Sequence, residues 1–327
     1  MAENIYDKET EHEKIEHYDV LILGAGPAGL TAALYSGRYN LKTAVIAKTI
    51  GGTANLAGEI ENWPGFKGSG MELMQKFRKQ AEEFGARFIE TEVADVEKDE
   101  NGFIINIKQH SKEKVIHGKT LIIALGTEHR KLSIENEKEL LGKGVSYCAT
   151  CDGMFFKNKT TAVVGGADSA AKAALYLSDI AKKVYIIYRK NEMRCEPISL
   201  QKINKKDNIE IFYHSTPTKL VKDEQGKLKS VKISQETDNS EKEISLEIDG
   251  LFIEIGAVPV IEIVKNLNID VDKKGYIITD KDAKTSLKDA FAAGDATNNN
   301  LKQVVTASAE GAIAAKSAHE YLKINNP

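Results

Sequence analysis

The pattern of hydrophobic positions along the chain predicts strands that alternate with helices. Residues 18–35 read YDVLILGAGPAGLTAALY, and the apolar run Val20–Leu23 is typical of a buried parallel strand. Glycines and then small residues with helical spacing follow this run, and a second apolar run, Thr43–Ala47, comes after them. This order predicts a βαβ unit.

The same pattern returns in residues 160–188, which read TTAVVGGADSAAKAALYLSDIAKKVYIIY. When Gly24 is placed on Gly165, the letters AALY at 32–35 fall on AALY at 173–176, with both glycine turns and both strands in register. Such self-similarity predicts two copies of one nucleotide-binding architecture. The predicted fold class is therefore α/β, with two Rossmann-like, doubly wound, three-layer domains.

Further elements are predicted between and after the two copies. The predicted helices are Met71–Phe84 and Gln303–Tyr321. The predicted strands are an antiparallel segment near 101–110 with a turn at Asn101–Gly102, the segment TLIIALG at 120–126, short strands near 209–213, 230–234 and 244–248, and the segments GLFIEIG at 250–256 and AFAAGDA at 290–296.

Composition narrows the class of protein. A net charge of -3 gives no basic field, so we expect no nucleic-acid partner. Three cysteines argue against a disulfide-stapled secreted protein and for a reducing, cytoplasmic setting. Residues 1–17 are charged and lack the apolar centre of a signal peptide, so we expect a solvated leader. No apolar run approaches the roughly 20 residues of a membrane helix, and we expect no membrane partner.

The first glycine turn, GAGPAG at 24–29, follows a strand and opens a helix. In the GxGxxG pattern, Gly24 permits a tight turn, Gly26 admits a pyrophosphate, and Gly29 allows close packing of helix and strand. A glycine cluster without a ligand is the alternative interpretation. Lys48 stands near the end of the second strand, where an acid usually binds ribose, so other groups must hold the sugar.

The segment CATCDG at 148–153 places Cys148 and Cys151 within reach of each other, with Asp152 beside the second thiol. The pair could form half of a zinc site, a static disulfide or a redox couple. A zinc site needs four ligands, and the one other cysteine is Cys195, so we expect no metal. A static disulfide across so short a loop adds little stability, which favours the redox couple.

Four motifs, GAGPAG, ENWPGF at 61–66, CATCDG and FAAGDA, occur in the order and context of one family. In them the chain resembles the low-molecular-weight thioredoxin reductases, which are FAD-dependent pyridine nucleotide-disulfide oxidoreductases. The resemblance implies an FAD-binding domain of two segments, 1–126 and 251–327. The second Rossmann-like domain, 127–250, would be inserted between them and carry the dithiol and the NADPH site. It would rotate about linkers at Gly126–Thr127 and Asp249–Gly250.

The resemblance also implies the residues that bind the two cofactors. For FAD these are Gly24, Gly26, Pro27, Ala28, Gly29, Lys48, Gly51, Gly52, Thr53, Asn62, Val93, Gly126, Gly294, Asp295, Gln303 and Val304. For NADPH they are Gly165, Ala167, Asp168, Ser169, Arg189, Lys190 and Arg194. Asp295 also follows a strand-end glycine, where α/β sheets bind ligands, although a helix N-cap is an alternative role for it.

The family's mechanism implies roles for the dithiol. Cys151 would face the flavin and Cys148 would attack the disulfide of thioredoxin or of a glutaredoxin-like protein. Asp152 would carry a proton to the departing thiolate, with helix or turn capping as the alternative. Cys195 is expected to be a packing thiol. A homodimer is expected on the resemblance alone.

The second glycine turn departs from the family pattern. Ala167 stands where glycine is usual, and Lys172 stands where the next helix has a glutamate. The cations that hold a 2'-phosphate, HRRxxxR in the family, are reduced to Arg189, Lys190 and Arg194. NADPH is the preferred donor, with NADH, a deazaflavin or a ferredoxin as alternatives. Two other functions remain open, which are a flavin-dependent dithiol oxidase and a non-catalytic FAD-binding module.

Overall fold

The structure is a computed structural model that describes residues 16–57, 60–109, 112–237 and 240–325. Its strands are β1 (Glu16–Ala25), β2 (Thr43–Ile50), β3 (Ile60–Trp63), β4 (Phe66–Gly68), β5 (Arg87–Glu90), β6 (Glu92–Asp99), β7 (Gly102–Gln109), β8 (Lys112–Ile123), β9 (Thr127–His129), β10 (Val145–Ser146), β11 (Thr160–Val164), β12 (Lys183–Ile187), β13 (Ile209–Phe212), β14 (Ser215–Lys222), β15 (Leu228–Thr237), β16 (Ser240–Glu247), β17 (Gly250–Ile253), β18 (Ala257–Pro259) and β19 (Ala290–Ala292). Its helices are α1 (Pro27–Arg38), α2 (Gly70–Glu83), α3 (Glu137–Leu140), α4 (Ala149–Asp152), α5 (Asp168–Ser178), α6 (Pro197–Asn204) and α7 (Val304–Asn325). Within these ranges, no helix is long and apolar enough to span a bilayer.

The described chain forms two compact units. The first comprises residues 16–55, 60–126 and 259–325, and the second comprises residues 56–57 and 127–258. The boundary expected at residue 250 lies elsewhere, because β17 pairs in parallel with β11 in the sheet of the second unit. The linker expected at Asp249–Gly250 is also displaced, since Asp249 is hydrogen-bonded to Thr160 through both its backbone and its carboxylate. The chain crosses between the units at Val258–Pro259 instead.

The end of the expected leader, residues 16 and 17, belongs to the first strand instead. Residues 1–15 lie outside the described residues, but Glu16 and His17 belong to β1, where they pair in register with Ile116 and His117 of β8. The first strand is therefore longer than the apolar run suggested, because polar residues continue the parallel pairing.

The main sheet of the first unit is mixed. Its strand order is β5-β2-β1-β8-β7-β6, and β19 pairs with the carboxyl end of β8. The neighbouring pairs β5-β2, β2-β1 and β1-β8 are parallel. The pairs β8-β7 and β7-β6 are antiparallel and form the predicted antiparallel segment. The turn lies one residue earlier than expected, since Asp99 pairs with Gly102.

The second unit repeats this arrangement. Its parallel sheet has the order β13-β12-β11-β17-β10, in which the first four strands occupy the places of β5, β2, β1 and β8 in the first unit. This order confirms the α/β fold class and the internal repeat. A separate antiparallel sheet, β14-β15-β16, adds a strand that the sequence did not predict. Pro217 within β14 concealed it, because proline lacks the N–H that a sheet ladder requires.

The helices of the first unit pack closely through small residues. Proline stands at the first position of α1, where its missing N–H costs nothing, and Ala28, Ala32 and Ala33 are buried on that helix. On α7, a Cβ added to Gly311 would lie 2.1 Å from the carbonyl oxygen of Ala28. Contact between the two helix backbones therefore requires glycine at this position.

We predict that Gly311→Ala lowers the free energy of unfolding by about 1–3 kcal/mol, because the new methyl group overpacks the contact between α1 and α7. The loss should exceed the gain of about 1 kcal/mol in helix propensity. Urea unfolding measures the change, with Ile313→Ala, an exposed position on α7, as the control. Equal or greater stability of Gly311→Ala would contradict the described packing.

Candidate functional site

The dithiol segment is a disulfide in the structure. Cys148 and Cys151 are bonded, with their Cα atoms 5.4 Å apart. Cys148 is the N-cap of α4, and its sulfur accepts a hydrogen bond of 3.2 Å from the backbone N–H of Cys151. Cys148 is partly exposed and Cys151 is exposed, so the bond is open to attack. Cys195 packs beside an apolar cluster of the second unit, and burial raises the pKa of its thiol.

The carboxylate of Asp152 is held by a residue that the sequence analysis missed. The Ser146 hydroxyl donates to Asp152 at 2.6 Å, and Ser146 Oγ accepts from the Cys148 backbone N–H at 3.0 Å. Ser146 is buried in β10, beside β17. Asp152 makes no side-chain capping bond to the following short helix, so the alternative capping role is wrong. Ser146 fixes the acid and the first cysteine relative to each other.

A buried acid anchors the residues before the dithiol. Glu137 accepts hydrogen bonds from the backbone N–H groups of Leu132 and Ser133 and from the Tyr147 hydroxyl. Burial, with the bond to Glu137, raises the pKa of Tyr147. Tyr147 also stacks on His129, whose pKa burial lowers. These contacts restrain the backbone that leads into Cys148.

The first glycine turn has the geometry that a pyrophosphate needs. Gly24 has a φ of +99°, and a Cβ there would lie 2.2 Å from the carbonyl oxygen of Ala124. A Cβ on Gly29 would lie 1.9 Å from the Gly24 oxygen, whereas one on Gly26 would meet nothing within 4 Å. Two glycines therefore bring α1 close to the sheet, and the third leaves space at the N-terminus of the helix. The turn fits a dinucleotide.

Other expected residues of this site converge on the same turn. A Cβ on Gly52 would lie 3.2 Å from the Gly26 Cα atom, and one on Gly294 would lie 2.9 Å from the Ala28 Cβ atom. Asn62 and Gln303 are far apart in the sequence, yet the Asn62 side chain donates a hydrogen bond of 2.8 Å to the Gln303 side chain. Gly51 and Thr53 flank Gly52, Gly126 follows β8, and Val304 begins α7.

Asp295 follows Gly294, the residue that lies against Ala28 of the first glycine turn. Within the described ranges its carboxylate has no hydrogen-bond partner, and burial raises its pKa, partly offset by Lys302. No helix begins at Asp295, so the alternative N-cap role is wrong. The preceding Gly294 N–H donates to Glu310, which the sequence analysis missed. Lys48 pairs with Glu92 in solvent at 3.5 Å, and Val93 lies in β6 beside the core.

The second glycine turn opens into a cavity of about 330 Å³ in the second unit. Five of the seven expected residues line it, namely Gly165, Ala167, Ser169, Arg189 and Arg194. The other two do not. Lys190 is exposed and is not among the lining residues, and the Asp168 carboxylate accepts a hydrogen bond from the Glu196 N–H.

Among the lining residues that the sequence analysis missed are two that can carry charge, Arg130 and Glu254, and one aromatic residue, Tyr188. Tyr188 covers the turn, since a Cβ on Gly166 would lie 2.5 Å from its ring, and its hydroxyl accepts from Arg194 Nε at 3.0 Å. The cavity therefore offers three guanidinium groups, those of Arg130, Arg189 and Arg194, to an anionic ligand. A pyridine nucleotide with phosphate groups fits this set of donors.

Glu254 is the one carboxylate among the lining residues. It follows the carboxyl end of β17, and it forms no ion pair in the part of the chain that the structure describes. Burial raises its pKa from 4.5 to about 7, and a hydrogen bond with Ser169 partly offsets that rise. A charged residue inside the apolar segment GLFIEIG was the sequence signal that could have revealed it.

The chain is similar to one family of known proteins over most of its length. The model of the pyridine nucleotide-disulphide oxidoreductase family matches residues 18–311. A thioredoxin reductase of Listeria innocua is 39% identical over 317 residues, which cover 95% of this chain and 95% of that protein. The crystal structure of Lactococcus lactis thioredoxin reductase in its FR conformation matches with a TM-score of 0.85 at 36% identity, covering 94% of this chain and 99% of that chain. The structure of T. acidophilum thioredoxin reductase matches with a TM-score of 0.84 at 36% identity, covering 93% and 98%.

The raised pKa of Glu254 predicts a pH-dependent stability. The pKa of Glu254 is near 4.5 in the unfolded chain and near 7 in the folded chain. The stabilisation that protonated Glu254 gives the folded state is therefore fully present below pH 4.5 and is lost as the pH rises through 7. When the pH is raised from 5 to 8, the free energy of unfolding of the wild-type protein should fall by about 2–3 kcal/mol more than that of the Glu254→Gln variant. Denaturant unfolding at both pH values measures this difference. Glu224→Gln, at an exposed turn, should keep the wild-type dependence.

Proposed function

Because the chain belongs to the pyridine nucleotide-disulphide oxidoreductase family, we propose that it is an FAD-dependent thioredoxin-disulfide reductase with NADPH as its electron donor. The observation that carries the proposal is the exposed Cys148–Cys151 disulfide in a chain with two nucleotide-binding turns. The resemblance of the whole chain to thioredoxin reductases supports the choice of substrate.

In the proposal each unit holds one cofactor. In the first unit, the Gly24–Gly29 turn would hold the pyrophosphate of FAD, Asp295 would hold its ribityl chain, and Asn62 and Gln303 would hold its ring. The second unit binds NADPH in the cavity beside Gly165. When bound, FAD would supply two-electron redox chemistry between a pyridine nucleotide and a disulfide. Rotation of the second unit about Gly126–Thr127 and Val258–Pro259 presents the nucleotide and the dithiol in turn.

The dithiol then reduces the protein substrate by exchange. The Cys148 thiolate attacks one sulfur of the substrate disulfide, which forms a mixed disulfide and releases the first substrate thiolate. The Cys151 thiolate attacks Cys148 Sγ, which restores the Cys148–Cys151 bond and releases the second thiolate. Asp152, oriented by Ser146, supplies a proton to a departing thiolate. Two electrons and two protons pass to the substrate, so the exchange balances.

An apolar surface next to the dithiol supports a protein substrate. Met154 and Phe155 follow the second cysteine by three and four positions and are 59% and 74% exposed. Exposed large apolar side chains beside a reactive bond are typical of a docking surface. The proposal also includes a homodimer and a cytoplasmic location, which rest on the resemblance and on the low cysteine content.

The test of this function is a redox cycle of the flavin. Anaerobic NADPH should bleach the flavin absorbance, and oxidised thioredoxin should restore it. In Cys151→Ser the bleaching should remain, but turnover with thioredoxin should fall by about 10³-fold or more, because no disulfide can form. Cys195→Ser should retain full turnover. Undiminished turnover in Cys151→Ser would leave a non-catalytic role, and peroxide production from dithiols in air without thioredoxin reduction would favour an oxidase.

The cations that line the cavity of the second unit predict which pyridine nucleotide is the electron donor. If Arg189 and Arg194 hold a 2'-phosphate, each alanine variant should raise the KM for NADPH by about 10- to 100-fold and leave the KM for NADH unchanged. Steady-state kinetics with both nucleotides measures the difference. Lys190→Ala, which changes a cation outside the cavity, is the matched control. Equal losses with NADH would contradict this role, and bleaching by neither nucleotide would direct the search to a deazaflavin or a ferredoxin.

A further inference from the structure

Glu254 is a charged group that the proposed mechanism leaves without a role. It lies in the nucleotide cavity with three guanidinium groups among the other lining residues, yet it pairs with none of them in the described chain. An ionised carboxylate that is mostly buried and has no ion pair destabilises the folded protein. The position of Glu254 in the cavity therefore indicates a ligand that donates hydrogen bonds to its carboxylate oxygens.

The internal repeat provides a matched comparison for this position. A Cβ on Gly24 would lie 2.2 Å from the Ala124 carbonyl oxygen, and a Cβ on Gly165 would lie 2.2 Å from that of Glu254. Ala124 and Glu254 thus occupy the same place beside their glycine turns. The architecture itself requires no carboxylate there, since alanine serves in the first copy. The carboxylate of Glu254 is therefore explained by the ligand that the second copy binds.

The strand order shows which part of a dinucleotide would meet Glu254. In an open α/β sheet the ligand lies across the carboxyl ends of the strands, with its pyrophosphate at the first βα turn. Here that turn joins β11 to α5. Arg189 follows β12, on one side of β11, and Glu254 follows β17, on the other side. Because the adenosine half lies toward β12, the nicotinamide half lies toward β17.

The chemistry of a carboxylate selects one group in that half. Phosphate oxygens are excluded because they carry the same charge, whereas hydroxyl groups donate to carboxylates. Glu254 lines the same cavity as Ser169, which lies in the first turn of α5, next to the pyrophosphate position. The ribose attached to the pyrophosphate is the first donor group beyond it. The nicotinamide ring lies farther away.

We propose that Glu254 binds the hydroxyl groups of the nicotinamide ribose and so positions that half of the nucleotide in the second unit. The inference rests on the proposed function, since it requires a pyridine nucleotide in this cavity. Glu254 would thereby perform for the nicotinamide ribose what an acid at the end of the second strand performs for the adenosine ribose in other dinucleotide sites.

The test is calorimetric binding of three probes to the full-length protein at pH 8. The probes are NADP⁺, 2'-phospho-ADP-ribose, which lacks nicotinamide but keeps its ribose, and 2',5'-ADP, which lacks both. Glu254→Ala, the residue that the first copy carries, should weaken the first two by about 10- to 100-fold and leave the third unchanged. Glu254→Gln, which keeps one acceptor oxygen, should weaken the same two probes by less.

Two controls separate the possible failures. Arg194→Ala should weaken all three probes, and Glu224→Ala should weaken none. Unchanged or tighter binding of NADP⁺ to Glu254→Ala overturns the inference, and so does a loss with NADP⁺ that is absent with 2'-phospho-ADP-ribose or a loss that is equal with all three probes. If the wild-type protein binds none of the probes, the nucleotide site of the proposed function fails, and the role of Glu254 fails with it.

Discussion

The contact between a glycine turn and the carbonyl oxygen of the neighbouring strand is the constraint on which both units depend. Any side chain at Gly24 or Gly165 would collide with that oxygen at 2.2 Å. The contact sets how closely the first helix of each unit approaches its sheet, and therefore where the N–H groups of that helix point. Both nucleotide sites follow from this one backbone contact.

The dithiol depends on a different kind of restraint. Cys151 lies on a helix of four residues and Cys148 is the N-cap of that helix, so packing alone would hold the pair weakly. Hydrogen bonds provide the order instead, from Ser146 to the Asp152 carboxylate and from Tyr147 to the buried Glu137. A bond that opens and closes needs neighbours that keep their positions in both states, and these contacts involve neither sulfur atom.

The sequence predicted those features that depend on local chemistry. The glycine turns, the repeat and the cysteine pair were visible because backbone space and thiol chemistry each demand particular residues at fixed spacing. The strand β14 and the boundary at Val258–Pro259 were not visible, because strand pairing across the chain decides them. Ser146 and Glu310 were missed for a similar reason, since each acts through a partner that only the fold brings near.

Glu254 shows how the two kinds of information complement each other. In the sequence it is one charged residue in an apolar strand, which could equally face solvent. The structure places it beside the second glycine turn, at the position that Ala124 holds in the first copy. Two copies of one architecture therefore differ at a position where stability favours alanine, and burial of the acid raises its pKa to about 7. Glu254 lowers the stability of the folded protein at one of the two equivalent positions beside the glycine turns, and the ligand bound at that turn explains why it is there.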